Sequence, residues 1–262
     1  MEPEVLYVRL GRRPFDQFVR LKDHFGISFV KAEFEAEGAS FRDLVRLRRL
    51  TLEAGVGLIL KIGGCESVRD LRDALELGAD GLVAPMIESP FALSKFWEAS
   101  NRVFRTGRRP RLAFNVETKT CLENLDAILE YGTGKMDGFT IGRSDLAGSY
   151  FDPWITPDSD FLVAEIERVA LTAQGRGWDV WMGGNLGQKS TAALRGRPVL
   201  RQCVSHFETR KVVLPGKVLF DRPEAVAEAL KFEELYLLSR QEILEDALTE
   251  DRHRLEVLKT RH

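Results

Sequence analysis

Histidine and cysteine are scarce in this 262-residue chain, which has four of the first and three of the second. Cys65, Cys121 and Cys203 are odd in number and lack metal-ligand spacing, while His24, His206, His253 and His262 are scattered. That excludes a disulfide framework and a histidine metal cluster, and no catalytic triad can be assembled around these residues. Cys121 falls early in an amphipathic stretch, where packing is its expected role. Long apolar runs and leader-like segments are missing too, so the sequence reads as a cytoplasmic protein with no membrane partner. An excess of either charge is also lacking. Lys and Arg number 38 against 40 Asp and Glu, for a net charge of −2, which argues against a nucleic-acid partner. No internal repeat or low-complexity segment occurs.

Apolar material for one large core is present, with 44% hydrophobic residues against 30% charged. Short apolar runs alternate with amphipathic stretches. Residues 5–10 read as a first strand and 14–24 as a helix whose first turn Pro14 suits. A second strand at 27–34 precedes a helix at 41–54 with Ser40 as its N-cap. A third strand at 58–62 leads to a helix at 68–77, capped by Ser67 and ended by Gly78. The fourth strand, 81–84, closes at Pro85 and gives way to a helix at 91–104. Strands five and six follow at 112–116 and 138–141, a helix at 161–174, and strands seven and eight at 180–182 and 211–214. Residues 223–245 have helical spacing and 248–259 form a charged extension. Strands apolar on both faces, alternating with helices, require a parallel sheet covered by helices, and about 250 residues suffice to close one. The expected fold is therefore α/β, a (β/α)8 TIM barrel over residues 1–222, with a C-terminal helical extension over 223–262 packed on the barrel or on a neighbouring subunit.

The stretch from Phe114 to Ser149 carries the chemistry. Its two strands bracket an amphipathic segment, 121–129, as in a βαβ unit. If the strands are parallel neighbours, Glu117 and Asp145 emerge at the same end of the sheet. Two carboxylates there repel unless a cation or proton sits between them, and Mg²⁺ or Mn²⁺ is the natural occupant. Gly142, Arg143 and Ser144, just before Asp145, form a turn able to aim backbone N–H groups at an anion. A cation beside an anion nest suits a 2-oxo carboxylate or an enolate. The plainer reading, in which both acids are helix N-caps or solvated loop charges, stays open at this stage.

The segments NVETKTCLENLDAIL and DGFTIGRSDLAGS resemble the metal-binding signature of the HpcH/HpaI aldolase and citrate lyase superfamily, among the phosphoenolpyruvate- and pyruvate-binding barrels. The resemblance implies that Glu117 and Asp145 hold the divalent metal and that the backbone from Gly142 through Arg143 and Ser144 to Asp145 binds the substrate carboxylate. Asn115 falls where the aldolases often place Gln. An Arg that contacts substrate oxygens in the family is replaced by Lys61, which keeps the charge and loses the bidentate geometry. Glu33 aligns with the Glu that supports that Arg, implying a Glu33–Lys61 pair. The aldolase branch carries a catalytic His just after this Glu, where the present chain has Phe34. A phenyl ring cannot move protons, so Glu35 or a water on the metal is left as the base. The resemblance covers residues 27–148 and weakens after 160.

Other strand ends add candidates. Alternation puts Lys31, Glu33, Glu35 and Glu37 on one side of their strand, taken here as the barrel interior, where the charges need partners. Lys61 is followed by Gly63 and Gly64, which allow close approach to a small anion. Glu88 either caps a helix or binds a ligand. Gly183, Gly184 and Asn185 offer a second anion nest and Arg210 a basic rim residue, each set against an ordinary structural role. Together these expectations describe a class II, metal-dependent aldolase or carbon–carbon lyase working through a pyruvate-type enolate, as a homo-oligomer. The alternatives are a phosphoenolpyruvate-using transferase or hydrolase on the same barrel, and a relative that binds an oxo acid without catalysis.

Overall fold

A computed structural model describes residues 3–106 and 108–261 of the chain. The elements run α1 (Pro3–Phe25), β1 (Phe29–Glu33), α2 (Phe41–Ala54), β2 (Gly57–Lys61), α3 (Val68–Glu76), β3 (Gly81–Ala84), α4 (Pro90–Val103), β4 (Arg111–Val116), α5 (Lys119–Glu123) and α6 (Leu125–Gly132). They continue with β5 (Gly138–Gly142), α7 (Arg143–Gly148), α8 (Asp160–Gly175), β6 (Val180–Gly183), α9 (Gln188–Arg195), α10 (Pro198–Cys203), β7 (His206–Glu208), β8 (Val212–Pro215), α11 (Gly216–Asp221) and α12 (Glu224–Lys259). The eight strands close into a barrel in sequence order, as expected for a TIM-type α/β fold.

Two strands of the barrel differ from the sequence reading. Residues 5–10 lie in helix α1, which also carries Pro14 inside it instead of in its first turn. A short apolar run does not by itself separate strand from helix, and Gly11 and Pro14, which stand between residues 5–10 and the amphipathic stretch, both lie inside α1. The place of that strand is filled by β7, three residues long and unforeseen. Only Thr209, Arg210 and Lys211 link β7 to β8, far too few for a parallel crossover, so the pair is a hairpin. Accordingly β8 runs antiparallel to both β7 and β1, while all the other neighbouring strands are parallel. The Thr209 hydroxyl accepts from the Val212 amide at 3.0 Å and fixes the turn.

Helix ends follow local chemistry. Ser40 and Asp43 form a reciprocal capping box on α2, which ends at left-handed Gly55. Ser67 occupies the N-cap of α3 without a side-chain bond, and Gly78, at φ +60°, terminates that helix as expected. Ser89 caps α4 by accepting from the Ala92 amide, so Glu88 is not the cap. The outer core lies between strands and helices. A smaller inner core of Ile59, Val83, Ala113, Trp181 and Val213, with Phe29 against it, plugs the barrel below its mouth.

Helix α12 is a single element of 36 residues. Its first half buries Val226, Ala229, Phe232 and Tyr236, with Phe232 stacked on Phe18 of α1 at 5.0 Å. Leu244, Leu248, Leu255 and Leu258 of its second half are exposed. No helix among the described residues is long and apolar enough to cross a membrane.

Candidate active site at the barrel mouth

Strand register brings the predicted residues to one end of the barrel. Glu33 pairs with Lys61 across β1 and β2, Asn115 with Thr140 across β4 and β5, and Gly142 with Gly183 across β5 and β6. Glu117 follows β4 directly and is only 1% exposed. Its Oε2 accepts from Asn115 Nδ2 at 2.8 Å and its Oε1 from the Met86 amide at 2.9 Å, with Lys61 Nζ 3.6 Å from Oε2. Met86 points its N–H there from a left-handed conformation, φ 51°, an uncommon state for a residue with a side chain. A Cβ on Gly142 would fall 3.0 Å from Glu117 Oε2, so the carboxylate lies against the start of α7.

The capping reading of the two acids fails on this geometry. Thr118 caps α5 by accepting from the Cys121 amide, and Gly142 is the N-cap of α7. Asp145 sits in the first turn of α7, exposed to solvent, and Glu117 is buried. Cys121 packs behind Glu117, and burial, helped by Glu117 and Glu88, pushes its thiol up to about 12. It is no nucleophile.

The first amides of a helix have no carbonyl within it to bond. In α7 the amides of Arg143 and Ser144 face Gly184, where a Cβ would lie 2.6 Å from both nitrogens. Gly184 adopts φ +87°, so both its conformation and the space in front of those amides demand glycine. The Arg143 side chain points elsewhere. Its wholly buried guanidinium donates to the carbonyls of Gly183 at 3.1 Å, Gly184 at 2.7 Å and Pro157 at 3.3 Å, and to Asp158 Oδ1 at 2.5 Å. Burial lowers its pKa and Asp158 opposes the shift. Through these bonds the Arg143 side chain ties the start of α7 to the Gly183–Gly184 turn. Gly184→Ala should lower the melting temperature, since the added methyl would meet the backbone of α7 in a conformation that disfavours side chains. An unchanged thermal melt would show that the contact tolerates the methyl.

The interior holds one residue that the sequence reading missed. Glu208, at the end of β7 and 1% exposed, accepts from Lys31 Nζ at 2.7 Å and from the Thr140 hydroxyl at 3.1 Å. Lys31 also lies 3.6 Å from Glu33, which is 4.0 Å from Lys61, the expected pair at the long end of an ion-pair distance. Burial alone would lower the Lys31 ammonium, but Glu208, Glu33 and Glu117 outweigh it and raise its pKa to about 12. The alternation from Lys31 to Glu37 breaks after Glu33, where the strand ends. The largely buried Glu37 side chain folds back to accept from the Glu33 amide at 3.4 Å and pairs with Lys211, whose ammonium lies 4.9 Å from the Tyr236 ring centroid. Glu35 is exposed and lies across Gly63, where a Cβ would meet its Cγ at 2.7 Å. Phe34 packs against the outer core. Arg210 is exposed in the β7–β8 turn.

A divalent cation suits this donor set. Glu33, Glu117 and Glu208 face the ammoniums of Lys31 and Lys61, leaving one negative charge in excess, and the exposed Asp145 of α7 lies outside these ion pairs. Among the described residues no three His, Cys, Asp or Glu converge as a full metal cage. Mg²⁺ commonly takes one or two carboxylates and completes its sphere with water or substrate oxygens, which fits a Glu117 and Asp145 pair.

A family model for HpcH/HpaI aldolase/citrate lyase matches residues 47–183, just over half of the sequence. The chain belongs to this family. Lys61, Asn115, Glu117 and Gly142 to Asp145 lie within the matched region, whereas Lys31, Glu33, Phe34, Glu35, Gly184 and Glu208 lie outside it. Membership makes the protein a lyase-type enzyme at the level of its family. The structure of an HpcH/HpaI aldolase from Desulfitobacterium hafniense is similar over 74% of this chain and 82% of its own, at 17% identity and a TM-score of 0.59. An HpcH/HpaI aldolase/citrate lyase family protein from Burkholderia cenocepacia matches 82% of this chain and 89% of its own, at 17% identity and a TM-score of 0.60. The citrate synthase SbnG matches 84% and 90%, at 16% identity and 0.59. At these identities the likeness establishes the shared fold. A search of curated proteins finds no match to this chain.

Proposed function

We propose that the protein makes or breaks a carbon–carbon bond through the enolate of a small, pyruvate-type 2-oxo acid, as a class II aldolase or lyase. The observation that carries this reading is the buried Glu117 carboxylate, held by Asn115 and the Met86 amide and set against the start of α7 beside Gly142. Glu117 and Asp145 would hold Mg²⁺ or Mn²⁺, which when bound supplies a Lewis acid for the keto oxygen. Asn115 and the Met86 amide fix both oxygens of Glu117, so that carboxylate is oriented in advance. The amides of Arg143 and Ser144 take the substrate carboxylate, and Gly142 lets it approach Glu117 without a side chain in the way. Lys61, beside Glu117 at 3.6 Å, adds positive charge toward the oxygen on which the enolate develops. Glu35 at the rim moves the proton. The test is exchange of pyruvate methyl protons with deuterated solvent, followed by NMR. The reading requires exchange that depends on both protein and divalent metal, and protein that adds nothing to the metal-only rate refutes it.

We further propose self-association through the free half of α12. Leu244, Leu248, Leu255 and Leu258 are exposed and recur at four- and three-residue spacing, interrupted only by Asp251, the spacing of a two-helix seam. The occupant is the same strip of a second copy. Light scattering at micromolar concentration should give at least a dimer mass, reduced to the monomer by Leu248→Asp with Leu255→Asp. A monomeric wild-type protein overturns the proposal.

A further inference from the structure

We propose that Glu208 is a positioning residue for the cation site, acting through Lys31 and Glu33 to keep Lys61 shared between Glu33 and Glu117 instead of drawn fully onto Glu117. This rests on the reading that Glu117 carries the cation. Five charges of alternating sign cross the barrel mouth. Glu208 holds Lys31 at 2.7 Å, Lys31 reaches Glu33 at 3.6 Å, Glu33 reaches Lys61 at 4.0 Å, and Lys61 reaches Glu117 at 3.6 Å. The first contact is a short hydrogen bond and the other three are longer. Lys31 is thus committed to Glu208, and Glu33 remains available to share Lys61 with Glu117.

The sharing matters because an ammonium and a divalent cation compete for the same carboxylate. Lys61 drawn fully onto Glu117 would occupy the oxygen that the metal needs. Lys31 is buried, so on loss of Glu208 its ammonium has to find another anion. The nearest is Glu33 at 3.6 Å. Glu33, once taken by Lys31, releases Lys61 to Glu117. Thr140 supports the arrangement by donating to the other oxygen of Glu208, which leaves Oε2 turned toward Lys31. The hairpin explains why this residue comes from β7. A turn of only three residues places Glu208 at the mouth, two strands from β1, with β8 between them.

The relay predicts opposite signs for its two ends. Glu208→Gln keeps the volume and an oxygen for Lys31 but removes the charge, and should weaken Mn²⁺ binding by roughly 10–100-fold, the range usual for residues that support metal ligands. Lys31→Met frees Glu33 for Lys61 alone, and Mn²⁺ affinity should hold or rise. Lys31→Met added to Glu208→Gln should recover most of the lost affinity. Mn²⁺ binding read by calorimetry or electron paramagnetic resonance on the full-length protein, with circular dichroism to confirm folding, separates these cases. Folded Glu208→Gln with wild-type affinity overturns the relay. So does folded Lys31→Met that loses roughly 10-fold or more in affinity, since Lys31 would then act as scaffold alone; this arm stands even if Glu208→Gln does not fold. Wild-type protein that takes up no Mn²⁺ removes the metal-site reading itself, and the relay with it.

Discussion

Glu117→Gln should leave the barrel folded and weaken Mn²⁺ binding by more than the roughly 100-fold reached by changes to outer residues around a metal. Two donors converge on this side chain, Asn115 Nδ2 on one oxygen and the Met86 amide on the other. An amide side chain offers one oxygen in place of two, so one of these buried donors would face an NH2 group. The unsatisfied donor costs about 1–3 kcal/mol. Lys61 loses its contact at 3.6 Å at the same time but keeps Glu33 at 4.0 Å, so no lysine is left without an acid. In a chain of this size, such a loss lowers the melting temperature by several degrees without unfolding the protein at room temperature. The signature is therefore a modestly lowered melt that no longer rises with Mn²⁺. Asp145→Asn is the companion measurement. Its carboxylate is exposed and contributes no burial, so affinity should fall while the metal-free melt barely moves. Unchanged Mn²⁺ affinity in Glu117→Gln by calorimetry would remove Glu117 from the site and with it the proposed chemistry.

The parts of this site that were legible in the sequence share a physical reason. A βαβ unit made of two short apolar runs fixes strand direction, and parallel neighbours must deliver their ends to the same face. The ends of β4 and β5, and with them Glu117 and the Gly142 turn, are set on one face of the sheet in this way. Ser40 and Gly78 were equally readable, since a cap or a left-handed terminus depends on a few adjacent residues. What failed depended on distant partners. Residues 5–10 had a pattern that either a strand or a helix satisfies, and only the closed barrel decides between them. Strand β7 has just three residues, below the length at which alternation stands out. A signal was nevertheless present. Glu208 and Val212 flank a three-residue link too short for a helix, so a hairpin was the available solution, and it turns Glu208 inward. Lys31 had been recognised as a strand charge needing a partner. Glu208 is that partner, and the unpaired charge on one strand was the clue to an unrecognised acid on another.

The second large effect concerns the proton. In deuterated solvent with Mn²⁺ present, wild-type protein should exchange the methyl protons of pyruvate, and Glu35→Gln should slow that exchange by roughly 10²–10⁴-fold, the usual scale for a positioned acid–base group. Pyruvate affinity should change little, because the binding contacts proposed for the substrate come from Lys61 and the α7 amides. Lys61→Ala should weaken both exchange and affinity. Glu35 is suited to the task by placement: the chain leaves β1 at Glu33, turns, and lays the Glu35 side chain across Gly63, two residues beyond Lys61. Phe34, between the two acids, faces the outer core and leaves the mouth to them. Gly63→Ala provides a test of position that keeps the carboxylate, since the added methyl would lie 2.7 Å from Glu35 Cγ and must displace it. Exchange should slow there too, although every ionisable group remains. Should Glu35→Gln exchange at the wild-type rate and Glu33→Gln not, the proton belongs to the buried acid between Lys31 and Lys61. Should wild-type protein bind pyruvate with metal and add nothing to the metal-only rate, the enolate chemistry fails and oxo-acid binding without catalysis replaces it. Phe34 would then mark the change, because a site with its charges intact and no group to carry a proton can hold an oxo acid but not turn it over.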